Sequence, residues 1–180
     1  MIDDMEKNII LIGMPSCGKT TIAKQLSLQL SIPYYDSDAL IEEREKRTIA
    51  EIFKNDGESY FRKVEQEVIS IISKYTKSII STGGGVILQE ENMNQLKEYG
   101  TIVFIKRDLH LLKVHDTSRP LSKDYKALEE MYAKRLPLYK KYADAIVSNN
   151  GKIEEVVQTI IKITGGTMDD YHNNKNSSAQ

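Results

Sequence analysis

Short apolar runs alternate along the chain with longer stretches in which apolar residues recur every three or four positions. Asn8-Ile9-Ile10-Leu11-Ile12 is a continuous, β-branched run of the kind that a strand buried on both faces carries. Four more runs read as strands: Pro33-Tyr34-Tyr35-Asp36, Ser78-Ile79-Ile80-Ser81-Thr82, Thr101-Ile102-Val103-Phe104-Ile105 behind the stop signal Gly100, and Ala143-Asp144-Ala145-Ile146-Val147. Between them the period lengthens to that of a helix. Ile22, Leu26 and Leu30 stripe a helix following residue 20, and a charged helical stretch follows Asp36. Val64, Val68, Ile71 or Ile72, and Tyr75 mark one face of the longest helix, predicted over about residues 58–75. Residues 89–99 and 123–142 make two more, the second bent near Pro137. Ile153, Val156, Val157, Ile160 and Ile161 line a last helix, which Gly165-Gly166 ends.

Strands that alternate with helices imply a parallel sheet covered on both faces, a three-layer α/β/α fold with five strands. Ligands of such sheets sit beyond the carboxyl ends of the strands. Residues 1–166 make one domain without internal repeats. Residues 167–180 have almost nothing to bury and are expected to be a disordered polar tail.

Composition narrows the class. A chain of 180 residues can bury a sizeable core, and 40% hydrophobic with 28% charged residues is that of a globular domain. The net charge of −1 offers no basic excess for nucleic acid, and no apolar run is long enough for a membrane span. The acidic, polar start Met1-Ile2-Asp3-Asp4 does not resemble a signal peptide, and a single cysteine fits a reducing compartment. The expectation is a cytoplasmic monomer with no nucleic-acid or membrane partner.

The chemistry concentrates where strands end. Gly13-Met14-Pro15-Ser16-Cys17-Gly18-Lys19-Thr20 matches the phosphate-loop pattern, with a strand before it and a helix behind it. That arrangement aims backbone N–H groups and the positive end of a helix at a phosphate. Gly13, Pro15, Ser16, Cys17, Gly18, Lys19, Thr20 and Thr21 are therefore the candidate nucleotide contacts. Lys19 can reach the β- and γ-phosphates of a nucleoside triphosphate, and Thr20 can offer its hydroxyl to Mg²⁺. Cys17 reads as a small loop-filling side chain.

After the second strand, Asp36 and Asp38 stand two apart, so on a strand both would face the loop. One could hold Mg²⁺ while the other orients or deprotonates an acceptor hydroxyl; the plain alternative is helix capping. Gly83-Gly84-Gly85 after the third strand suits close approach of a ligand, or else a mobile connector. Arg62 and Glu65 can pair on one helix face, and spacing alone favours a solvated ion pair over an Arg held for a carboxylate. Arg135 among its neighbouring lysines reads, alone, as part of a solvated basic face. The polar stretch from His115 to Leu121 reads as a lid, about residues 113–125, with Arg119 either a surface residue or a supplier of positive charge during phosphoryl transfer. His110, His115 and His172 have no metal-ligand spacing and read as surface residues.

Taken together, these residues resemble the shikimate kinase family over about residues 8–163. The motifs that carry the likeness are the loop 13–20, Asp36-Ser37-Asp38, Ile49-Ala50-Glu51-Ile52-Phe53, Asp56-Gly57-Glu58, Phe61-Arg62, Glu65, Thr82-Gly83-Gly84-Gly85, Arg119-Pro120-Leu121, and Arg135 with Pro137-Leu138-Tyr139. The resemblance implies a fold like that of nucleoside monophosphate kinases, with a substrate-binding region at about 36–65. It implies phosphorylation of the 3-hydroxyl of shikimate by ATP with Mg²⁺, on the route to chorismate and the aromatic amino acids. By family pattern Thr20 and Asp36 hold Mg²⁺, and Asp38, Lys19 and Arg119 are catalytic, with Arg119 also on the ATP phosphates. Asp38, Phe53, Phe61, Arg62, Gly83, Gly84, Gly85 and Arg135 then form the shikimate pocket, with Arg62 and Arg135 on its carboxylate and Glu65 bracing Arg62. The chain departs from the pattern in a shorter stretch between Thr101 and Arg119 and a shorter lid after Leu121. Lys113 is the nearest counterpart of an arginine that often stacks on adenine. Rival readings are a gluconate or nucleoside monophosphate kinase of the same fold, or a non-catalytic nucleotide-binding module.

Overall fold

The structure is a computed structural model that describes residues 7–112 and 125–165. The proposed lid (apart from Tyr125), Arg119, Lys113, His115, His172 and the tail lie outside the described residues. Five strands run in parallel: β1 (Asn8–Ile12), β2 (Tyr34–Asp36), β3 (Ile79–Ser81), β4 (Gly100–Lys106) and β5 (Ala145–Ser148), in the order β2-β3-β1-β4-β5. β1 lies at the centre with every residue buried, which is why its run is apolar without alternation. Its one polar member, Asn8, is satisfied at the amino end of the sheet. Its side-chain amide donates to Ser73 O and Tyr75 O and accepts from Ser78 N and Oγ.

Among the described residues the α-helices between and after the strands are α1 (Lys19–Leu30), α2 (Ser37–Glu45), α3 (Ile49–Ile72), α4 (Glu90–Tyr99), α5 (Tyr125–Tyr142) and α6 (Ile153–Ile163). α1 packs on α6, α3 packs on α4, and α5 reaches β4, giving the three layers that the alternation implied. Ile10, Leu11, Ile22, Leu26, Ile80, Ile102 and Ile160 are wholly buried between them, each stabilising the fold by about 1.5–3 kcal/mol over the exposed state.

The elements differ from expectation in three instructive places. The long helix begins at Ile49 rather than 58, because Thr48 and Glu51 form a reciprocal capping box that starts a helix ahead of the expected one. The two parts meet at Gly57, whose φ of 81° and ψ of 175° break the helical geometry. Such a left-handed φ favours glycine. Of the alternatives on its apolar face, Ile72 is buried while Ile71 is 53% exposed, and Tyr75 lies beyond the helix end. Finally, Asp36 and Asp38 do not share a strand: Asp36 ends β2, and Asp38 lies in the first turn of α2. Among the described residues, no helix is long and apolar enough to cross a membrane.

Candidate functional site

At the carboxyl ends of the parallel strands, the loop from Gly13 to Gly18 carries β1 into α1. Ser16 at φ 63° and Gly18 at φ 100° turn the chain there. Space as well as conformation demands the glycines. A Cβ on Gly13 would lie 2.6 Å from Ile105 O and 2.8 Å from Cys17 Sγ, and one on Gly18 would lie 2.6 Å from Asn149 Nδ2. Cys17, wholly buried, fills the loop as expected. Lys19 is 4% exposed, and its ammonium donates to Gly13 O and Met14 O at 2.8 and 2.9 Å, held within the loop it serves. Thr21 is exposed on α1.

Asp36 does two things at once. Its Oδ1 accepts from the N–H groups of Asp38 and Ala39, capping α2, and its Oδ2 accepts from Thr20 Oγ1 at 2.6 Å. The capping alternative and the metal alternative are thus two faces of one carboxylate. Thr20 and Asp36 put two hard oxygen donors together at the loop, a set that fits Mg²⁺, which takes one or two protein oxygens alongside phosphate and water.

Beside the loop opens a cleft of about 440 Å³, a volume that includes the open space at its mouth. Asp38, Phe53, Phe61, Arg62, Gly83, Gly84, Gly85 and Arg135 line it together, with Ile49, Glu65 and Pro15. Phe53 and Phe61 pack with centroids 4.8 Å apart and planes tilted by 37°, and the Arg62 guanidinium lies over the Phe61 ring. Pro15 belongs to this wall as well as to the phosphate loop, where the sequence had it as a nucleotide contact. It bridges the two halves of the site.

Two readings drawn from spacing fail here for the same reason. Arg62 and Glu65 do not form a solvated pair. Arg62 Nη1 donates to Glu65 Oε2 at 2.7 Å, with side chains only 11% and 0% exposed, and Glu58 accepts from Arg62 on its outer side. Burial raises the Glu65 carboxyl to about 6 against the pull of Arg62, and the neighbouring Asp38 charge adds to the rise. Glu65 Oε1 is buried without a hydrogen-bond partner among the described residues. Arg135, read alone as part of a solvated face, is 6% exposed and makes no hydrogen bond or salt bridge with any other described residue. A buried guanidinium is costly without an anion close by; the Glu65 carboxylate feels its charge but makes no salt bridge with it, and the cleft it faces can admit another anion.

The glycine triplet makes room for side chains rather than for a ligand alone. A Cβ on Gly83 would lie 2.5 Å from Asp38 Oδ1, one on Gly84 2.7 Å from Pro15 Cδ, and one on Gly85 would overlap the Arg62 guanidinium. The three N–H groups differ in what they meet. Gly83 N donates to Ser37 Oγ at 3.0 Å. The N–H groups of Gly84 and Gly85 make no hydrogen bond with any described residue. The triplet is also no mobile connector, being buried throughout.

Three participants had no role in the sequence reading, although Ser37 and Tyr139 stood within its motifs. Ser37 sits between the two aspartates and holds Gly83. Tyr139, one turn beyond Arg135, donates to Gly84 O at 2.5 Å. Asn149, just past β5, donates to Cys17 O at 2.8 Å, while its own carbonyl accepts from Arg107 at 2.7 Å. Its place at the carboxyl end of a strand was the available signal. His110 is exposed, as expected.

The chain is similar to known proteins in both sequence and fold. The family model for shikimate kinase matches residues 15–164. A shikimate kinase of Clostridium botulinum (strain Langeland) is 44% identical over 164 residues, which cover 87% of this chain and 95% of that one. The structure of shikimate kinase from Acinetobacter baumannii in complex with shikimate superposes with a TM-score of 0.85 at 30% identity, over 89% of this chain and 93% of that one. Shikimate kinase from Aquifex aeolicus superposes with a TM-score of 0.79 at 37% identity, over 88% of this chain and 96% of its own.

Proposed function

The chain belongs to the shikimate kinase family, and we infer that it transfers the γ-phosphoryl group of ATP to the 3-hydroxyl of shikimate, as a cytoplasmic monomer folded as one domain over residues 1–166. The observation that carries the residue roles is the gathering of two guanidiniums, Arg62 and Arg135, in one cleft with Asp38 and with Pro15 of the phosphate loop.

The shikimate carboxylate meets Arg62 and Arg135, whose planar forks each match two oxygens. Glu65 keeps Arg62 pointed into the cleft, and Phe53 and Phe61 pack on the ring. Gly84 and Gly85 donate to ring hydroxyls, while Gly83, held by Ser37, gives Asp38 its space. The 3-hydroxyl gives its proton to the Asp38 carboxylate as its oxygen bonds to the γ-phosphorus. The bond from that phosphorus to the bridging oxygen breaks, and ADP leaves with the electron pair. Little covalent work falls to the protein in such a transfer, so positioning and charge carry it. The N–H groups at the start of α1 receive the phosphates, and Lys19 exchanges its loop carbonyls for phosphate oxygens. Thr20 and Asp36 would hold Mg²⁺, which supplies positive charge to the phosphate oxygens when bound. Arg119, from its place in the sequence, adds to that charge.

A nucleotide-binding module without turnover has no use for Asp38 in one cleft with Arg62, Arg135 and the Gly84 and Gly85 N–H groups, which make no hydrogen bond with any described residue. The test is ADP release from Mg²⁺-ATP with shikimate, gluconate, AMP or no acceptor. Stimulation by shikimate alone is expected. Equal stimulation by gluconate would overturn the acceptor assignment, and ATP binding without any stimulated release would favour the module.

A further inference from the structure

Tyr139 and Arg135 stand four residues apart on α5, so both side chains leave the same face of that helix. The Tyr139 ring is wholly buried and stacks on Phe104, with centroids 4.9 Å apart and planes at 17°. Phenylalanine would serve that packing equally well. The hydroxyl does something a phenyl ring cannot: it donates to the Gly84 carbonyl at 2.5 Å, with Met14 Sδ at 3.8 Å.

Three consecutive glycines have more backbone freedom than any other tripeptide, and this one must hold a single shape. Gly84 already abuts Pro15 on one side, where a Cβ would stand 2.7 Å from Pro15 Cδ. The Tyr139 hydroxyl fixes the other degree of freedom, rotation of the Gly84–Gly85 peptide plane. In a trans peptide the carbonyl of one residue and the N–H of the next point in opposite directions. Holding Gly84 O on Tyr139 therefore turns the Gly85 N–H away from α5. That N–H makes no hydrogen bond with any described residue, and Gly85 lines the acceptor cleft.

We propose that Tyr139 is a positioning residue for the acceptor: by holding the Gly84 carbonyl, its hydroxyl aims the Gly85 N–H at the acceptor. The same bond keeps the glycine turn in register with Arg135 and with the phosphate loop. The inference rests on the acceptor-pocket reading above. α5 thereby delivers a cation for the carboxylate and a clamp for the hydroxyl-binding turn from one helical face.

The test compares Tyr139→Phe, which removes only the hydroxyl, with Phe104→Leu, which removes the ring stack but keeps an apolar side chain against Tyr139. In steady-state ADP release, Tyr139→Phe raises the shikimate KM by about five- to twentyfold and leaves the ATP KM within about twofold, since a buried carbonyl loses its partner. Phe104→Leu lowers the melting temperature and leaves both KM values near those of the unaltered enzyme. A shikimate KM within twofold of the unaltered enzyme in Tyr139→Phe would overturn the proposal. So would an equal rise in Phe104→Leu, since packing would then explain it. Absence of shikimate-dependent release by the unaltered enzyme would overturn the acceptor reading, and this proposal with it.

Discussion

Replacing Glu65 by Gln tests the balance of forces at the centre of the acceptor pocket. The amide is nearly isosteric and cannot ionise. Burial raises the Glu65 carboxyl from the ordinary 4.5 to about 6 in the folded protein, outweighing the Arg62 guanidinium 2.7 Å away. A raised folded-state value means that the native protein binds the proton more tightly than the unfolded chain. Stability therefore holds fully below about pH 4.5 and is lost as pH rises through about 6, by about 2 kcal/mol in all. Glu65→Gln lacks this loss. The difference in unfolding free energy between the two proteins should thus move in favour of the Gln variant by about 2 kcal/mol between pH 4.5 and 7.5. Urea unfolding of both proteins across that range measures it, and the other carboxylates largely cancel in the difference. A flat difference, or one that moves toward the Glu protein as pH rises, would refute the reasoning. It would mean that the ion pair outweighs burial. The activity should move the other way from the stability at neutral pH, because an amide holds Arg62 less firmly and the shikimate KM rises.

Three further outcomes follow from the cleft. Asp38→Asn should largely abolish turnover while ATP binding, followed by calorimetry, stays near normal; near-normal turnover would remove Asp38 from proton transfer. Arg135→Ala should raise the shikimate KM by one to three orders of magnitude, since truncating one member of a desolvated charge pair costs about 2–5 kcal/mol. An unchanged KM would take Arg135 out of the pocket. Gly85→Ala should fold, because the atoms its Cβ meets are the movable end of Arg62, yet raise the shikimate KM by displacing that guanidinium. Unaltered shikimate kinetics in this variant would show that Arg62 has room to spare.

Much of the molecule was legible before any coordinates. β1 and the phosphate loop were readable because their information is local. An unbroken apolar run marks burial on both faces, and glycines mark the turn where side chains cannot go. The helical stripes were equally local, as Val156, Val157, Ile160 and Ile161 show in being buried where the period put them. The capping box of Thr48 and Glu51 was also present as letters, yet Glu51 was read only within a family motif and Thr48 not at all. The order β2-β3-β1-β4-β5 was not in the sequence at all, since pairing joins residues far apart in the chain.

Family resemblance, rather than spacing, picked out the pocket residues, and the reason is physical. A polar side chain on an amphipathic helix reads as facing water, because local periodicity separates polar from apolar faces but not water from a polar cleft inside the fold. Arg135 and Glu65 sit on such cleft-facing positions, Tyr139 reaches the glycine turn from the core beside them, and only the packing of α3 and α5 against that turn buries them. The same holds for Gly83, Gly84 and Gly85. Their sequence says that side chains are excluded. Which neighbours exclude them, Asp38, Pro15 and Arg62, is decided by three separate segments converging on the carboxyl end of β3. The chain on its own thus determined the elements and the phosphate-binding loop, whereas the charge states, the spare donors and the shape of the acceptor cleft arose only where distant segments met and excluded water.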